Sequence, residues 1–309
     1  MGNFKYTKWP HFSYSNGRKR TFDQCLRKYF YEYYANWNGW RWNASELSRR
    51  VYRLKKLKNM YLITGEYLHL AFKIALEEIK YKRTDLCDAN YLNTMVFDKL
   101  HSAIESSKQY NEWLKDPKKI MLMEYYYGEG VTKDIKIKIR DLVRSININF
   151  FNSDTWEQVY SENIDLLEID KNTYEYIEID NIRIYCMLDL LLKIDGENYL
   201  IVDWKTGKFS KKDKEQMLIY AYFISNKYKI PIENIKCRIE YLQSTEKIEF
   251  GFMNDDIEAL KLDIIKDVKK MKEYILDKDI KNNIPIDMYD FQVTDDRSNC
   301  TFCNYKELC

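Results

Sequence analysis

Between residues 164 and 204 the chain is a succession of short apolar runs, 164–170, 174–180, 182–195 and 198–204, parted by Asp180-Asn181 and by Asp195-Gly196-Glu197-Asn198. Runs this short, rich in Ile, Leu, Val and Tyr and broken by such turns, read as an antiparallel β-meander. Two of them carry an acid deep inside. Asp189 lies in Cys-Met-Leu-Asp-Leu-Leu-Leu, and Asp203 follows Tyr-Leu-Ile-Val. A carboxylate in such surroundings is costly to bury without a partner or a metal. A hairpin turn at 195–198 sets the two acids side by side across the ladder. Lys205 falls on the same face as Asp203, because strand side chains alternate. A lone Asp-x-Lys is usually a surface ion pair, but two acids in apolar strands beside one turn favour a site. Paired acids hold a hard divalent cation through oxygen ligands. Such an ion lowers the pKa of a bound water and offsets charge building on a phosphate, and a nearby lysine positions that water or stabilises the transition state.

Around the meander the spacing predicts helices. Phe22, Leu26, Tyr29, Phe30 and Tyr33 mark one over 20–35, and others follow at 45–60, 64–80, 90–114 and 132–151. A helix at 214–228, strands at 235–243 and 246–253, and a helix at 254–277 precede an irregular tail ending at Cys309. The expected architecture is α/β with α+β character: a helical N-terminal half, then a central mixed sheet flanked by helices. At 309 residues, with 45% hydrophobic and 32% charged content, the chain suits one large globular domain or two modest ones. We expect a single domain over 1–309, with 81–160 as a helical insertion and 164–253 as the sheet core. A formal net charge of +2 leaves any nucleic-acid affinity to local arrangement. No apolar stretch approaches the roughly 20 residues of a membrane span. The N-terminus, MGNFKYTKWPHF, has no apolar signal core, so a cytoplasmic location with no membrane partner is expected. In a reducing compartment the seven cysteines are thiols, ligands or core residues rather than disulfides.

Three of those cysteines, Cys300, Cys303 and Cys309, are spaced C-x2-C-x5-C in the tail. A C-x2-C pair grips one metal or cluster from a single turn, and a third thiolate close behind leaves one ligand missing. Cys25, in TFDQCLRKYFYEYY, can supply it from the far end of the chain. Spacing alone does not separate zinc from iron–sulfur. Cys186 and Cys237 sit in apolar runs and read as small core residues, and Cys87 is given no role. In 36–58, aromatic and basic residues interleave. Trp37, Trp40 and Trp42 suit stacking on bases, and Arg49, Arg50, Arg53, Lys55, Lys56 and Lys58 suit tracking phosphates. A solvated basic helix over packed aromatics accounts for the same pattern. The composition favours single-stranded or flapped DNA over a sequence-specific duplex. Gly207-Lys208 lacks both the earlier glycine and the following Ser or Thr of a phosphate-binding loop, so a helicase would be a separate partner.

At these residues the sequence resembles a known family. YCMLDLLL and YLIVDWKTGK look like the central motifs of PD-(D/E)XK nucleases, above all the RecB and AddB nucleases and the CRISPR-associated RecB-like exonucleases. TGEYLHLAF, with Gly65 and His69, resembles the upstream helix motif. EQMLIYAYF, with Gln216 and Tyr220, resembles the downstream Q-x-x-x-Y helix. The resemblance spans residues 65–220. It implies a restriction-endonuclease-like sheet in which His69, Asp189, Asp203 and the backbone carbonyl of Trp204 are ligands for magnesium or manganese. Lys205 would be the catalytic lysine, with Gln216 and Tyr220 supporting the site. It further implies a [4Fe–4S] cluster held by Cys25, Cys300, Cys303 and Cys309, with zinc as the less favoured occupant. Two departures are visible: Leu26 stands where the family usually has Pro, and Cys186 where it often has Gly, which makes the approach of DNA backbone less certain. The function implied is a deoxyribonuclease, exonuclease rather than endonuclease, acting on single-stranded, flapped or end-bearing DNA. DNA repair, CRISPR adaptation and phage defence, with a helicase or defence subunit as partner, are all compatible. The rivals are a non-cleaving nucleic-acid-binding scaffold and a zinc-stapled structural protein.

Overall fold

The protein is seen as a computed structural model in which residues 7–81, 87–161, 164–170 and 175–309 are described. The N-terminal hexapeptide, residues 82–86 of the 81–160 segment and residue 174 of the run 174–180 lie outside them. Eight strands are found among the described residues: β1 (Ser13–Tyr14), β2 (Asp165–Ile169), β3 (Glu175–Ile179), β4 (Ile182–Cys186), β5 (Leu190–Asp195), β6 (Asn198–Lys205), β7 (Ile235–Tyr241) and β8 (Glu246–Gly251). They form a five-stranded sheet, β2-β5-β6-β7-β8, and a three-stranded sheet, β1-β4-β3. In the larger sheet β6 and β7 are parallel and the other pairs antiparallel. The mixed sheet behind a helical N-terminal half is as expected, but the connectivity is not a simple meander.

The run 182–195 divides into two strands belonging to different sheets. β4 pairs with β3 through Asp180 and Asn181, both at positive φ of 50° and 61°, a geometry that suits a tight hairpin. The chain then breaks at 187–189 and re-enters as β5 beside β2 and β6. Both halves are apolar because both face core, so no change in periodicity marks the break.

The helices among the described residues are α1 (Asn16–Gln24), α2 (Leu26–Phe30), α3 (Glu46–Lys55), α4 (Met60–Lys80), α5 (Ala89–Ser107), α6 (Tyr110–Lys115), α7 (Met123–Tyr126), α8 (Lys133–Phe151), α9 (Asp154–Ser161), α10 (Lys212–Tyr228) and α11 (Asn254–Lys272). The helix expected over 20–35 is interrupted at Cys25. That residue is extended (φ −165°, ψ 115°), closes α1, and caps α2 by accepting the Lys28 N–H on its sulfur. The segment continues as a π-turn, Tyr31–Ala35.

Alternation in the large sheet makes two cores. Leu191, Ile201, Cys237 and Ile239 face α10 and α11. Leu190, Leu192, Leu200, Val202 and Trp204 face α4, α5 and α8. The Phe72 and Phe150 rings stack at 4.3 Å, and both contact Trp204. Each large side chain buried this way contributes about 1.5–3 kcal/mol. The helices of 81–160 therefore cover one face of the sheet that carries Asp203. A third core joins α2, the π-turn and α3 to the tail through Tyr29, Tyr34, Leu54, Phe291, Cys303 and Tyr305. No helix among the described residues is long and apolar enough to cross a membrane.

Candidate active site

The register of β5 and β6 pairs Leu190 with Val202, and Asp189 stands one residue before Leu190, so the two acids close the same end of the ladder. Asp189 Oδ2 accepts the backbone N–H of Trp204 at 2.9 Å, which ties the start of β5 to the end of β6. His69 reaches this point from α4, its Nδ1 3.2 Å from Asp189 Oδ1. The helix can come this close because residue 65 has no side chain: a Cβ on Gly65 would stand 3.3 Å from Thr206 Oγ1. Lys205 Nζ lies 2.7 Å from Asp203 Oδ2 and donates to Gln216 Oε1 at 2.9 Å. Gln216 Nε2 in turn donates to the Tyr220 hydroxyl at 2.5 Å. Gln216 and Tyr220 are four residues apart on α10, hence on one face.

These placements separate the two carboxylates electrostatically. Burial pushes Asp203 up to about 6, and the charge of Asp189 adds to that, while Lys205 and His69 oppose it. Asp189 is also buried, but His69 and the Trp204 N–H outweigh the burial and hold it below its ordinary value. His69 loses by burial and gains more from Asp189, ending at about 9. Lys205 is raised because Asp203 outweighs its desolvation. Without an ion, two cations therefore face two acids, one of them reluctant to ionise.

Among the described residues no three His, Cys, Asp or Glu side chains already stand as an ion cage. One observation nevertheless fits a divalent cation. Asp203 is 4% exposed, and its Oδ2 is met by the Lys205 ammonium at 2.7 Å, with no backbone or hydroxyl donor on it among the described residues. A buried carboxylate oxygen held by a single ion pair keeps acceptor capacity to spare and is the hard oxygen ligand such an ion takes. His69, Asp189 and the Trp204 carbonyl lie at the same end of the sheet.

Sequence reasoning missed Glu240. It is 4% exposed, on β7 beside Trp204. Its Oε2 accepts the Trp204 Nε1–H at 2.8 Å and its Oε1 the Thr155 N–H at 3.0 Å. The signal was available, since Ile-Glu-Tyr sets a carboxylate in an apolar strand just as the runs around Asp189 and Asp203 do.

The cysteines meet elsewhere. Cys25, Cys300, Cys303 and Cys309 all line one cavity of about 150 Å³ between α2 and the tail. Cys25 Sγ accepts the Lys28 N–H and Cys303 Sγ the Tyr305 N–H, each at 3.4 Å. Amide bonds of this kind stabilise thiolates that hold a metal or cluster. Burial raises the Cys303 and Cys309 thiols, so both favour the neutral form until something replaces the proton. Cys186 and Cys237 are core residues. Cys186 packs inward, with its thiol toward the Ile184 carbonyl.

The basic and aromatic residues of 36–58 are engaged with the tail and with neighbouring segments, and none of these contacts joins them to the acid pair. Arg50 pairs with Glu307 at 2.8 Å, and Asn304 Nδ2 donates to the Leu54 and Leu57 carbonyls. Arg49 donates to the Trp42 and Ala44 carbonyls, Lys55 pairs with Glu32 and Lys58 with Glu66. Arg53 Nε is buried without a hydrogen-bond partner, and Lys56 lies over the Tyr52 ring. Trp37 donates to the Thr7 carbonyl and packs edge-on against Trp40. Trp42 is 89% exposed.

Comparison with curated proteins finds no match to this chain. Comparison with family models does: residues 12–309 match the model described as the PD-(D/E)XK nuclease superfamily. That match takes in the acid pair, the lysine, the histidine helix and the cysteine tail, and with it the chain belongs to the PD-(D/E)XK nuclease superfamily.

Proposed function

We propose that this nuclease is a magnesium- or manganese-dependent deoxyribonuclease of the RecB/AddB-like branch, working as one domain over 1–309, with the helices of 81–160 as an insertion and the sheet of 164–253 as its core. The observation that carries the reading is the buried Oδ2 of Asp203, paired with Lys205 and across the ladder from Asp189. His69, Asp189, Asp203 and the Trp204 carbonyl would hold the ion, which supplies an activated water and charge neutralisation at the phosphate. His69 gives up its proton to serve as a ligand. The Lys205 ammonium, steered by Gln216 Oε1, places a positive charge where the phosphate gains negative charge. Tyr220 fixes the rotamer of Gln216. Trp204 aligns Asp189 through its N–H, and Glu240 holds Trp204 in turn.

The four cysteines would carry a [4Fe–4S] cluster, with zinc as the alternative, closing the chain between Cys25 and Cys309. Such a staple limits the unfolded ensemble. Trp42 and the basic residues about it, Arg49, Arg50 and Arg53 included, would contact DNA beyond the cutting centre. An exonuclease on single-stranded or end-bearing DNA fits best, in repair, CRISPR adaptation or phage defence, in the cytoplasm and alongside a separate helicase or defence subunit. The test is cleavage of end-labelled single-stranded, duplex and flap DNA in manganese by wild type and Lys205→Ala. Wild-type cutting of the single-stranded and flap substrates, lost in the variant, supports the proposal. DNA bound but left intact by wild type would favour the non-cleaving scaffold.

A further inference from the structure

We infer that a cavity at the exit of β6, lined by Thr206 next in the chain to Lys205, is a subsite for one unpaired nucleoside flanking the bond that is cut, an inference that rests on the nuclease reading above. The cavity holds about 260 Å³ and lies where α4, α8 and the segment leaving β6 meet. Leu142 of α8 supplies an apolar wall, and Tyr61, Thr206, Lys208 and Gln243 surround the opening. Gly65 is part of the wall. With no side chain there, α4 sits tight against Thr206 and the space stays clear.

Two placements tie this cavity to the cutting centre. Gly65 is one helical turn before His69 on α4, and Thr206 directly follows Lys205. On these placements a strand whose phosphate reaches Asp189, Asp203 and Lys205 would carry its neighbouring sugar and base toward this opening. The lining matches that occupant. An aromatic ring with aliphatic walls accepts the face of any base. Lys208 is exposed and has no ion-pair partner among the described residues, so it is free for the next phosphate. Gln243 carries both a donor and an acceptor for a base edge. The volume is below the roughly 300 Å³ at which pockets for drug-sized ligands begin, which suits one nucleoside and excludes a base pair. A paired base enters only by leaving its stack, at a cost of a few kcal/mol. The subsite therefore selects single-stranded or frayed DNA at the point of cleavage itself, independently of the basic residues of 36–58.

The experiment uses end-labelled single-stranded oligonucleotides of one sequence, each with one abasic residue at a successive position, in manganese. Wild type is expected to cut the phosphate beside the abasic residue about tenfold more slowly than the same phosphate in the intact strand. Leu142→Trp, which fills the cavity, and Tyr61→Ala, which removes an exposed ring, are expected to cut the two substrates at equal rates, with a raised KM on the intact strand. Should Leu142→Trp fail to fold, the surface variant Tyr61→Ala decides alone. Indifference of wild type to the abasic residue at every position would overturn the subsite, as would full discrimination retained by the variants. Failure of wild type to cut any of the oligonucleotides would overturn the nuclease reading, and the subsite with it.

Discussion

Glu240→Gln isolates how the sheet holds the acids in place. The substitution keeps side-chain size, so it opens no cavity. It changes one of two acceptors into a donor. Glu240 now accepts from Trp204 Nε1 and from the Thr155 N–H; whichever way the glutamine amide turns, one of those buried N–H groups meets an NH2. A hydrogen bond to a charged group contributes about 1.5–3 kcal/mol, and a stranded buried donor costs about 1–3 kcal/mol. Burying a neutral amide in place of a carboxylate returns part of that. The expected net loss is about 2 kcal/mol, roughly thirtyfold in the folding equilibrium. Equilibrium urea unfolding with an unchanged m-value reads it directly. Because Trp204 also aligns Asp189, the half-saturating manganese concentration for cleavage should rise in the same variant. A Glu240→Gln protein as stable as wild type, with the same manganese dependence, would refute the claim that Glu240 supports the site.

Other consequences follow from the same contacts. In metal-free protein Asp203 is raised from its ordinary 3.8 to about 6, so its contribution to stability is present below the ordinary value and is lost as pH rises through about 6. Asp203→Asn should therefore stabilise the metal-free fold above pH 6, by thermal unfolding, and change little near pH 4. His69 is raised from 6.5 to about 9, so the stability it adds without metal is present below 6.5 and is lost through about 9. Manganese must displace that proton, and the thermal shift it produces should grow with pH over that range. Anaerobically purified protein should be brown, with a broad visible absorbance, and Cys25→Ser should be colourless; a colourless wild type containing zinc would move the cavity to the other occupant. Arg50→Ala should change unfolding free energy by less than about 1 kcal/mol, because its pair with Glu307 is at the surface, whereas Trp42→Ala should weaken single-strand affinity in a binding titration without touching stability.

Much of the candidate site was legible because the residues on β5, β6 and α10 lie close in sequence and obey local rules, whereas His69 comes from a distant helix. Asp189 and Asp203 stand out as charges in apolar strands, and Gln216 and Tyr220 sit at helical spacing. The break at 187–189 was hidden because buried strands of two different sheets look alike. The interruption at Cys25 was hidden because Phe22, Leu26, Tyr29 and Tyr33 keep helical spacing across it, while a sulfur cap at Lys28 decides the backbone. Tyr29 and Tyr34 accept hydrogen bonds from the buried Arg18 guanidinium, a partnership that helical spacing does not announce. The segment 36–58 is legible as basic and aromatic, but its use in bracketing the tail depends on Glu307 and Asn304, some 250 residues away. The cavity at the exit of β6 draws on four separate segments, and no local pattern announces it.

The most direct trial of the account is Asp203→Asn beside wild type, both assayed for cleavage of labelled single-stranded DNA in manganese and for thermal stability. The account predicts a variant that is folded, at least as stable as wild type without metal, and slower in cleavage by a hundredfold or more. A folded Asp203→Asn protein that cuts at the wild-type rate would contradict it.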